Sequence, residues 1–535
     1  MKSHRGSTLA VASLLLAACA GSVAQDACEK LGQATIPGAS IILAKTIAAG
    51  TFAGPPTEGG DRDLTAPYKN VPAFCRVVVL ATPSADSSIR IEVWMPASGW
   101  NGKLQGIGNG GFAGMIDFPG LGTAVSKGYA ATGTDTGHSG SPIDAAWALG
   151  HPEKVADFGH RGIHEMTRVA KETIQAFYGK SAKRSYFAGC SDGGREALME
   201  AQRYPADYDG ILAGAPANYW TALLSTAASD TQALTADSAS YIPATKVPAI
   251  SAAVLAACDG LDGVRDGILN DPRRCHFDPA KIECKAGEDT DKCLTAKQAA
   301  TLKKIYAGLH DLHGHEIFPG FLPGAEDGQG GWGTWILGLA PGKSLMAFFA
   351  SGYFSNMVYE DPGWDNKTFQ MDAGLKLAEE KTAKALNATD ADLSPFKARG
   401  GKLIVYHGWN DPAIPAINAV NYYQRVYMKM GAETDSFLRL YMVPGMQHCD
   451  DGPGTDSFGQ VGRLDFDDPR HSVSAALEQW VEKGTAPSAI IASKFGDDKQ
   501  HPKMTRPLCA YPQAAKYKGS GDTNDAANFK CEAGQ

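Results

Sequence analysis

The segment Gly189-Cys190-Ser191-Asp192-Gly193 constrains this chain more than any other five residues in it. It matches G-x-S-x-G and sits between a strand-like run, Ser185 to Gly189, and a helix-like run, Gly194 to Arg203. A serine at a sharp strand-to-helix turn needs small neighbours, because the flanking backbones come close. That context makes the pattern a nucleophile elbow, and not a chance match in a glycine-rich chain. A strand feeding directly into a helix belongs to a sheet covered by helices, and the surrounding chain repeats the unit. Lys103 to Gly108 and Tyr129 to Thr132 read as strands. Arg161 to Tyr178 reads as a helix with Ile163, Met166, Val169, Ile174 and Phe177 on one stripe, and Gly210 to Gly214 as a strand again. This alternation predicts an α/β protein with a mostly parallel sheet.

The pattern fades over residues 218–397, a stretch rich in Gly, Asp, Cys and aromatics. It resumes with strands at Lys402 to Tyr406 and Leu438 to Val443, and a helix from Ser472 to Lys483 closed by Gly484. A segment of this size exceeds any ordinary loop. The expected organisation is a leader at 1–24, a first core segment at 25–217, an inserted subdomain at 218–397 and a second core segment at 398–535. Gln25 to Gly99 reads as mixed and turn-rich.

Lys2 and Arg5 precede the apolar run Leu9 to Ala20. That run is shorter than the ~20 residues a membrane span needs and fits a secretory leader. Cleavage after Ala24 is one exit. Leu16-Ala17-Ala18-Cys19 also matches a lipobox, which would leave a lipidated Cys19. No second long apolar stretch is read, so the expected product is secreted or periplasmic, either free or lipid-anchored, with no membrane span. Lys and Arg number 50 against 58 Asp and Glu, a net charge of −8. Without a basic cluster, nucleic acid is excluded as a partner. Of 11 cysteines, ten remain once Cys19 is set aside, an even number that predicts disulfides in an exported chain.

A serine hydroxyl needs a base. On this kind of scaffold an acid and then a histidine follow, each on a loop after a later strand. Asp411, in Gly408-Trp-Asn-Asp-Pro412, and His448, in Pro444-Gly-Met-Gln-His448, occupy those positions. His407 sits at a strand end and reads as structural; His138, His160 and His164 lie on the N-terminal side of Ser191. Cys190 adjoins Ser191 and Cys449 adjoins His448. If serine and imidazole meet at about 3 Å, their neighbours fall within disulfide reach, which predicts a Cys190–Cys449 bridge. The oxyanion donors are expected from the backbone N–H of Asp192 and from Gly110 or Gly111 in the loop Gly108 to Phe112. Gly106, Gly108 and Gly111 also match G-x-G-x-x-G, but that fingerprint must open a helix, and Gly114, Pro119 and Gly120 argue against one.

Within the insertion, residues 259–268 hold three carboxylates and three glycines. Calcium takes several oxygen ligands on a tightly turning backbone. Asp259, Asp262 and Asp266 would supply side chains, and Val264 and Ile268 carbonyls, in a structural site. A solvated acidic turn is the alternative.

Cys190-Ser191, Asp411 and His448-Cys449 together resemble the cysteine-flanked constellation of the tannase and feruloyl esterase family, which includes mono(2-hydroxyethyl) terephthalate hydrolase. Gly108 to Gly111, Gly210 to Ala217 and Asp361-Pro-Gly-Trp364 also resemble family segments. The resemblance implies an α/β-hydrolase fold with a large lid inserted between nucleophile and acid, and calcium on the lid loop. It also implies the pairs Cys28–Cys75, Cys258–Cys275, Cys284–Cys293 and Cys509–Cys531. Trp332, Trp335, Phe348, Phe349, Tyr353, Phe354, Tyr359 and Trp364 offer aromatic surface in the insertion, some for an acyl group and most for its core. No arginine lies between Arg274 and Arg399. A free terephthalate carboxylate is best held by a bidentate arginine, which the terephthalate hydrolase carries in its lid; Lys343 would substitute only as a point charge. The expected function is a serine carboxylesterase for neutral hydroxycinnamoyl or galloyl esters, small or polysaccharide-linked, without an organic cofactor. The alternatives are a terephthalate-monoester hydrolase and a non-catalytic aromatic-ligand-binding protein on the same fold.

Overall fold

The computed structural model describes residues 27–55, 63–288, 290–324, 326–462, 466–498 and 500–534. The leader and Cys19 lie outside the described residues. The chain forms two compact units: Met1–Ile107 with Gly114–Ser139 and Arg161–Tyr186, and Gly108–Ala113 with Gly140–His160 and Phe187–Gln535.

In the first unit, β1 (Ala39–Ile47), β2 (Phe74–Ala81), β3 (Ile89–Pro96) and β5 (Ala130–Thr134) pair antiparallel in that order, and β4 (Lys103–Ile107) joins β5 in parallel. The turn-rich reading of residues 25–99 therefore missed three strands. β2 is buried along nearly its whole length, so Val77, Val78 and Val79 show no inside–outside alternation. α1 (Phe118–Ser126) forms where glycine and proline argued against a helix. Asp117 caps it by accepting the Gly120 N–H at 3.0 Å, and Pro119 lies in the first turn, where an N–H has no intrahelical partner to lose. α2 (Gly162–Tyr178) buries Ile163, Met166, Val169 and Ile174; Phe177 is only half-buried. Cys28–Cys75 closes this unit's N-terminal segment onto β2.

In the second unit, β6 (Arg184–Cys190, which starts in the first unit's residues), β7 (Gly210–Gly214), β10 (Lys402–Gly408) and β11 (Leu438–Val443) follow one another in the sheet. β10 is parallel to both β7 and β11. α3 (Asp192–Arg203) follows β6 directly. Residues 218–397 are mainly helical, built around α4 (Trp220–Thr235), against which helices 296–307, 345–353 and 371–378 pack. Two short strands, β8 (Leu309–His310) and β9 (Glu316–Phe318), pair within this segment. Beyond helix Val473–Lys483, β12 (Ala489–Phe495) pairs with β13 (Pro502–Cys509), and β14 (Gln513–Tyr517) with β15 (Phe529–Ala533). Cys258–Cys275, Cys284–Cys293 and Cys509–Cys531 staple this unit locally, while Cys190–Cys449 spans 259 positions.

The helical stretch Ala244–Asp262 is long and apolar enough to cross a membrane by length and composition, a stretch the sequence reading did not single out. Val247, Ile250, Val254 and Cys258 of that stretch are buried in the hydrophobic core.

Candidate active site

Ser191 stands where β6 turns into α3, with φ 66° and ψ −121°. Non-glycine residues rarely adopt that conformation. Its neighbours must be small: a Cβ at Gly189 would stand 2.4 Å from the Gly193 carbonyl oxygen, and one at Gly193 would stand 2.8 Å from that of Asn109. Asp411 follows β10 and His448 follows β11, and the parallel pairing of those strands brings the two loops together.

The three side chains form one hydrogen-bonded file. Ser191 Oγ lies 2.9 Å from His448 Nε2, and His448 Nδ1 lies 2.9 Å from Asp411 Oδ2. With Nδ1–H donating to the carboxylate, Nε2 is free to accept from the serine hydroxyl. Cys190 and Cys449 are bonded, with Cα atoms 6.1 Å apart, so the residues beside Ser191 and His448 are covalently joined.

Asp411 is fully buried, and burial alone pushes its carboxyl up. The His448 charge and the hydrogen bonds from His407 and His448 outweigh burial, and the carboxyl is held below the usual carboxylate range. Its Oδ1 accepts the N–H groups of Ala413 and Ile414, at 2.8 and 2.9 Å. His407 does more than terminate a strand. Its Nε2 lies 3.1 Å from Asp411 Oδ2 and 3.0 Å from the Ile414 carbonyl. A carbonyl only accepts, so Nε2 carries the proton and donates to both. The four-residue spacing from His407 to Asp411 was visible in the sequence; that both nitrogens of interest meet one carboxylate oxygen was not.

Among the described residues, the backbone N–H groups of Gly110, Gly111 and Asp192 donate to no protein acceptor. Gly111, at φ 59°, lines a cavity of about 70 Å³ together with Ser191 and Asp192. The remaining lining is apolar: Ala217, Trp220, Leu223, Leu224 and Ala227 from α4 and its approach, Trp335, Met346 and Phe349 from later in the insertion, and Ala413 and Ile414 beside the acid. The Trp335 ring meets the His448 ring edge-on at 4.9 Å and stacks near Phe349. Of the eight aromatics anticipated, Trp335 and Phe349 reach the cavity. Trp332, Tyr353 and Phe354 are buried in the core, Tyr359 and Trp364 pack against it, and Phe348 is exposed. Trp220 was not anticipated; it opens a helix buried on nearly every side, which shows no stripe to read. Lys343 is exposed and is not one of the lining residues. The only ionisable side chain there belongs to Asp192, whose Oδ1 takes the Arg195 Nε–H at 2.6 Å. A wider cleft of about 440 Å³, beside Asp327, Asp451 and Lys494, holds none of the three residues of the file.

In the 259–268 loop, Asp262, Val264, Asp266 and Ile268 line one small cavity. Asp259 Oδ1 accepts the Gly267 N–H, Asp262 accepts those of Val264 and Asn270, and Asp266 accepts that of Ile268 and pairs with Arg506 at 2.7 Å. Burial pushes the Asp262 carboxyl up, and the charges of Asp266 and Asp259 push it further. A dication would relieve that crowding. Arg506 relieves part of it already, and among the described residues no three His, Cys, Asp or Glu side chains gather closely enough to hold a metal by themselves. A cation here would depend on the Val264 and Ile268 carbonyls as well.

The tannase and feruloyl esterase family model matches residues 75–532. An uncharacterized esterase of Xanthomonas campestris is 40% identical, over 98% of this chain and 94% of its own length. A probable feruloyl esterase B of Aspergillus clavatus is 35% identical, over 86% of each chain. Among solved structures, an esterase from Aspergillus oryzae superposes with a TM-score of 0.87 at 32% identity, covering 95% of this chain and all of that one; feruloyl esterase B from the same organism gives 0.86 at 29%, with the same coverage. The α/β-hydrolase fold expected from the motifs is thus established. With its sequence matched along most of its length and its fold shared, this chain is a carboxylic ester hydrolase and belongs to the tannase and feruloyl esterase family.

Proposed function

We propose that the chain is an exported serine esterase that cleaves neutral aromatic esters of the hydroxycinnamoyl or galloyl type. The observation that carries this reading is the file Asp411–His448–Ser191, with 2.9 Å at each junction, opening onto an apolar cavity. Ser191 Oγ attacks the ester carbonyl as His448 Nε2 takes its proton, and Asp411 orients the ring and stabilises its charged form. The tetrahedral oxyanion rests on N–H groups of Asp192 and of Gly110 or Gly111, which have no other acceptor to serve. Collapse expels the alcohol, protonated by His448, and leaves an acyl-enzyme. Water activated by His448 then releases the acid.

Trp335, Phe349 and Trp220 suit a flat aromatic acyl group. Among the described residues the lining carries no cation for a free carboxylate, which favours ferulate or gallate esters over terephthalate monoesters. The names of the relatives, feruloyl esterase B among them, support the same substrate class. Five disulfides among the described residues suit an oxidising compartment, the reason for reading the enzyme as exported. We further propose that Ca²⁺ takes the 259–268 loop as a structural ion, using Asp259, Asp262 and Asp266 with the carbonyls of Val264 and Ile268; the like-charge crowding at Asp262 supports it.

The test is product release, followed by chromatography, from methyl ferulate, methyl gallate and mono(2-hydroxyethyl) terephthalate. Wild type is expected to favour one of the first two, and Ser191→Ala to lose at least about 10³-fold in kcat. A folded Ser191→Ala that still turns over at the wild-type rate would overturn the serine mechanism, and a preference for the terephthalate ester would overturn the substrate assignment.

A further inference from the structure

Behind the nucleophile, α3 buries four ionisable side chains that the reaction does not consume: Asp192, Arg195, Glu196 and Glu200. Arg195 is satisfied without Glu196. Its Nε donates to Asp192 Oδ1 at 2.6 Å, Nη1 to the Gly159 carbonyl at 2.5 Å and Nη2 to the Phe158 carbonyl at 3.1 Å. Its guanidinium also lies over the rings of Phe158 and Trp220. The Arg195 guanidinium is therefore committed to Asp192 and two backbone carbonyls.

Glu196 is turned the other way. Its Oε2 accepts the Asn109 N–H at 2.9 Å, while its Oε1 is buried without a partner. On the other side of the same residue, the Asn109 carbonyl accepts the Gly193 N–H at 2.9 Å. A trans peptide points its N–H opposite its C=O, so the Gly193 bond sets the direction of the Gly110 N–H. Gly110 and Gly111 have no side chains to hold them, and nothing lies within 4 Å of where a Gly110 Cβ would be. Asn109 joins the loop to α3 at two points, while Gly108 and Phe112 on either side donate to the Ala188 and Pro142 carbonyls.

We propose that Glu196 is a positioning residue of the esterase reaction: by holding the Asn109 N–H it fixes the loop whose Gly110 and Gly111 N–H groups receive the oxyanion. This rests on the serine mechanism proposed above. Burial, then the Asp192 charge, push the Glu196 carboxyl well above the usual range, with Arg195 only partly offsetting them. What the loop uses is the acceptor: Oε2 takes the Asn109 N–H.

The experiment compares Ser191→Ala with Glu196→Gln, Glu196→Ala and Glu196→Met, each verified as folded by circular dichroism and melting temperature. Kinetics on methyl ferulate are paired with inhibition by phenylboronic acid, which adds to Ser191 Oγ as a tetrahedral anion, and by ferulic acid, which does not. The expected result is a kcat lower by roughly 10- to 100-fold in the Ala and Met variants, with KM within about threefold. Their phenylboronate Ki rises in step with the loss in kcat/KM, their ferulate Ki stays put, and Gln restores most of the rate because its amide oxygen accepts the same N–H. Undiminished kcat in folded Ala or Met variants would overturn the proposal, as would a loss confined to KM. Where Ala and Met do not fold, a folded Gln variant with wild-type phenylboronate affinity and kcat supports it, and one that has lost both overturns it. Activity surviving in Ser191→Ala would instead remove the mechanism on which it rests, a separable failure.

Discussion

Asp411 receives four hydrogen bonds, two from backbone N–H groups and two from imidazoles. A buried carboxylate survives only when its charge is met in this way. His407 and His448 share Oδ2, so the orientation of Asp411 toward His448 depends on a residue outside the cavity lining. Replacing His407 with Phe keeps a ring in the same volume and removes the donor. The Asp411 carboxyl, held low in the native protein, then rises and titrates at a higher pH. The expected outcome is a fall in kcat/KM of about 10- to 100-fold and an acid limb of the pH–rate profile displaced upward, measured from about pH 4 to 9. An unmoved limb would reduce His407 to a packing residue. At this scale the sequence displayed every residue of the file, because motif and chain order suffice to find them. His407 and Glu196 were hidden because their roles depend on which atom of a neighbouring segment they face.

The elements show where periodicity carries information and where burial erases it. α2 has one face in the core and one in water, and its stripe was readable. α4 is buried from Trp220 to Thr231, and β2 on both faces, so neither has a polar side to set a period. α4 also carries Asp230, whose carboxyl is pushed up to about 8 by burial, with Lys304 only partly opposing. An unfolded Asp titrates near 4, so the folded state holds the proton more tightly. The stability this contributes is complete below about pH 4 and is lost as pH rises toward about 8, by up to about 1.4 kcal/mol per pH unit. Asp230→Asn does not titrate. Its melting temperature is expected to match wild type near pH 4 and to exceed it increasingly up to about pH 8, after which the gap stays level. A gap independent of pH, read by scanning calorimetry, would show that Asp230 is ionised in the fold.

Across the whole molecule, contacts distant in sequence do the assembling. Cys190–Cys449 alone closes a loop whose restriction in the unfolded chain corresponds to on the order of 5 kcal/mol. If Ca²⁺ holds the 259–268 loop, removing it with EGTA lowers the melting temperature by several degrees and re-adding Ca²⁺ restores it; Asp262→Asn would abolish the difference. An unchanged melting curve would leave the loop's carboxylates to protein cations, Arg506 and the loop's own Arg265. The sequence by itself determined the fold class, the order Ser191–Asp411–His448 of the file and the Cys190–Cys449 pair, because each follows from chain order, from short-range pattern, or from adjacency to residues that must meet. Its resemblance to a known family extended that reading to the four local disulfides. Tertiary structure decided the rest: which aromatics line the cavity, that His407 serves Asp411, and that Glu196 holds the glycine loop. Those outcomes depend on the side chains that segments far apart in the chain present to one another, and the spacing of residues within a segment carries no record of them.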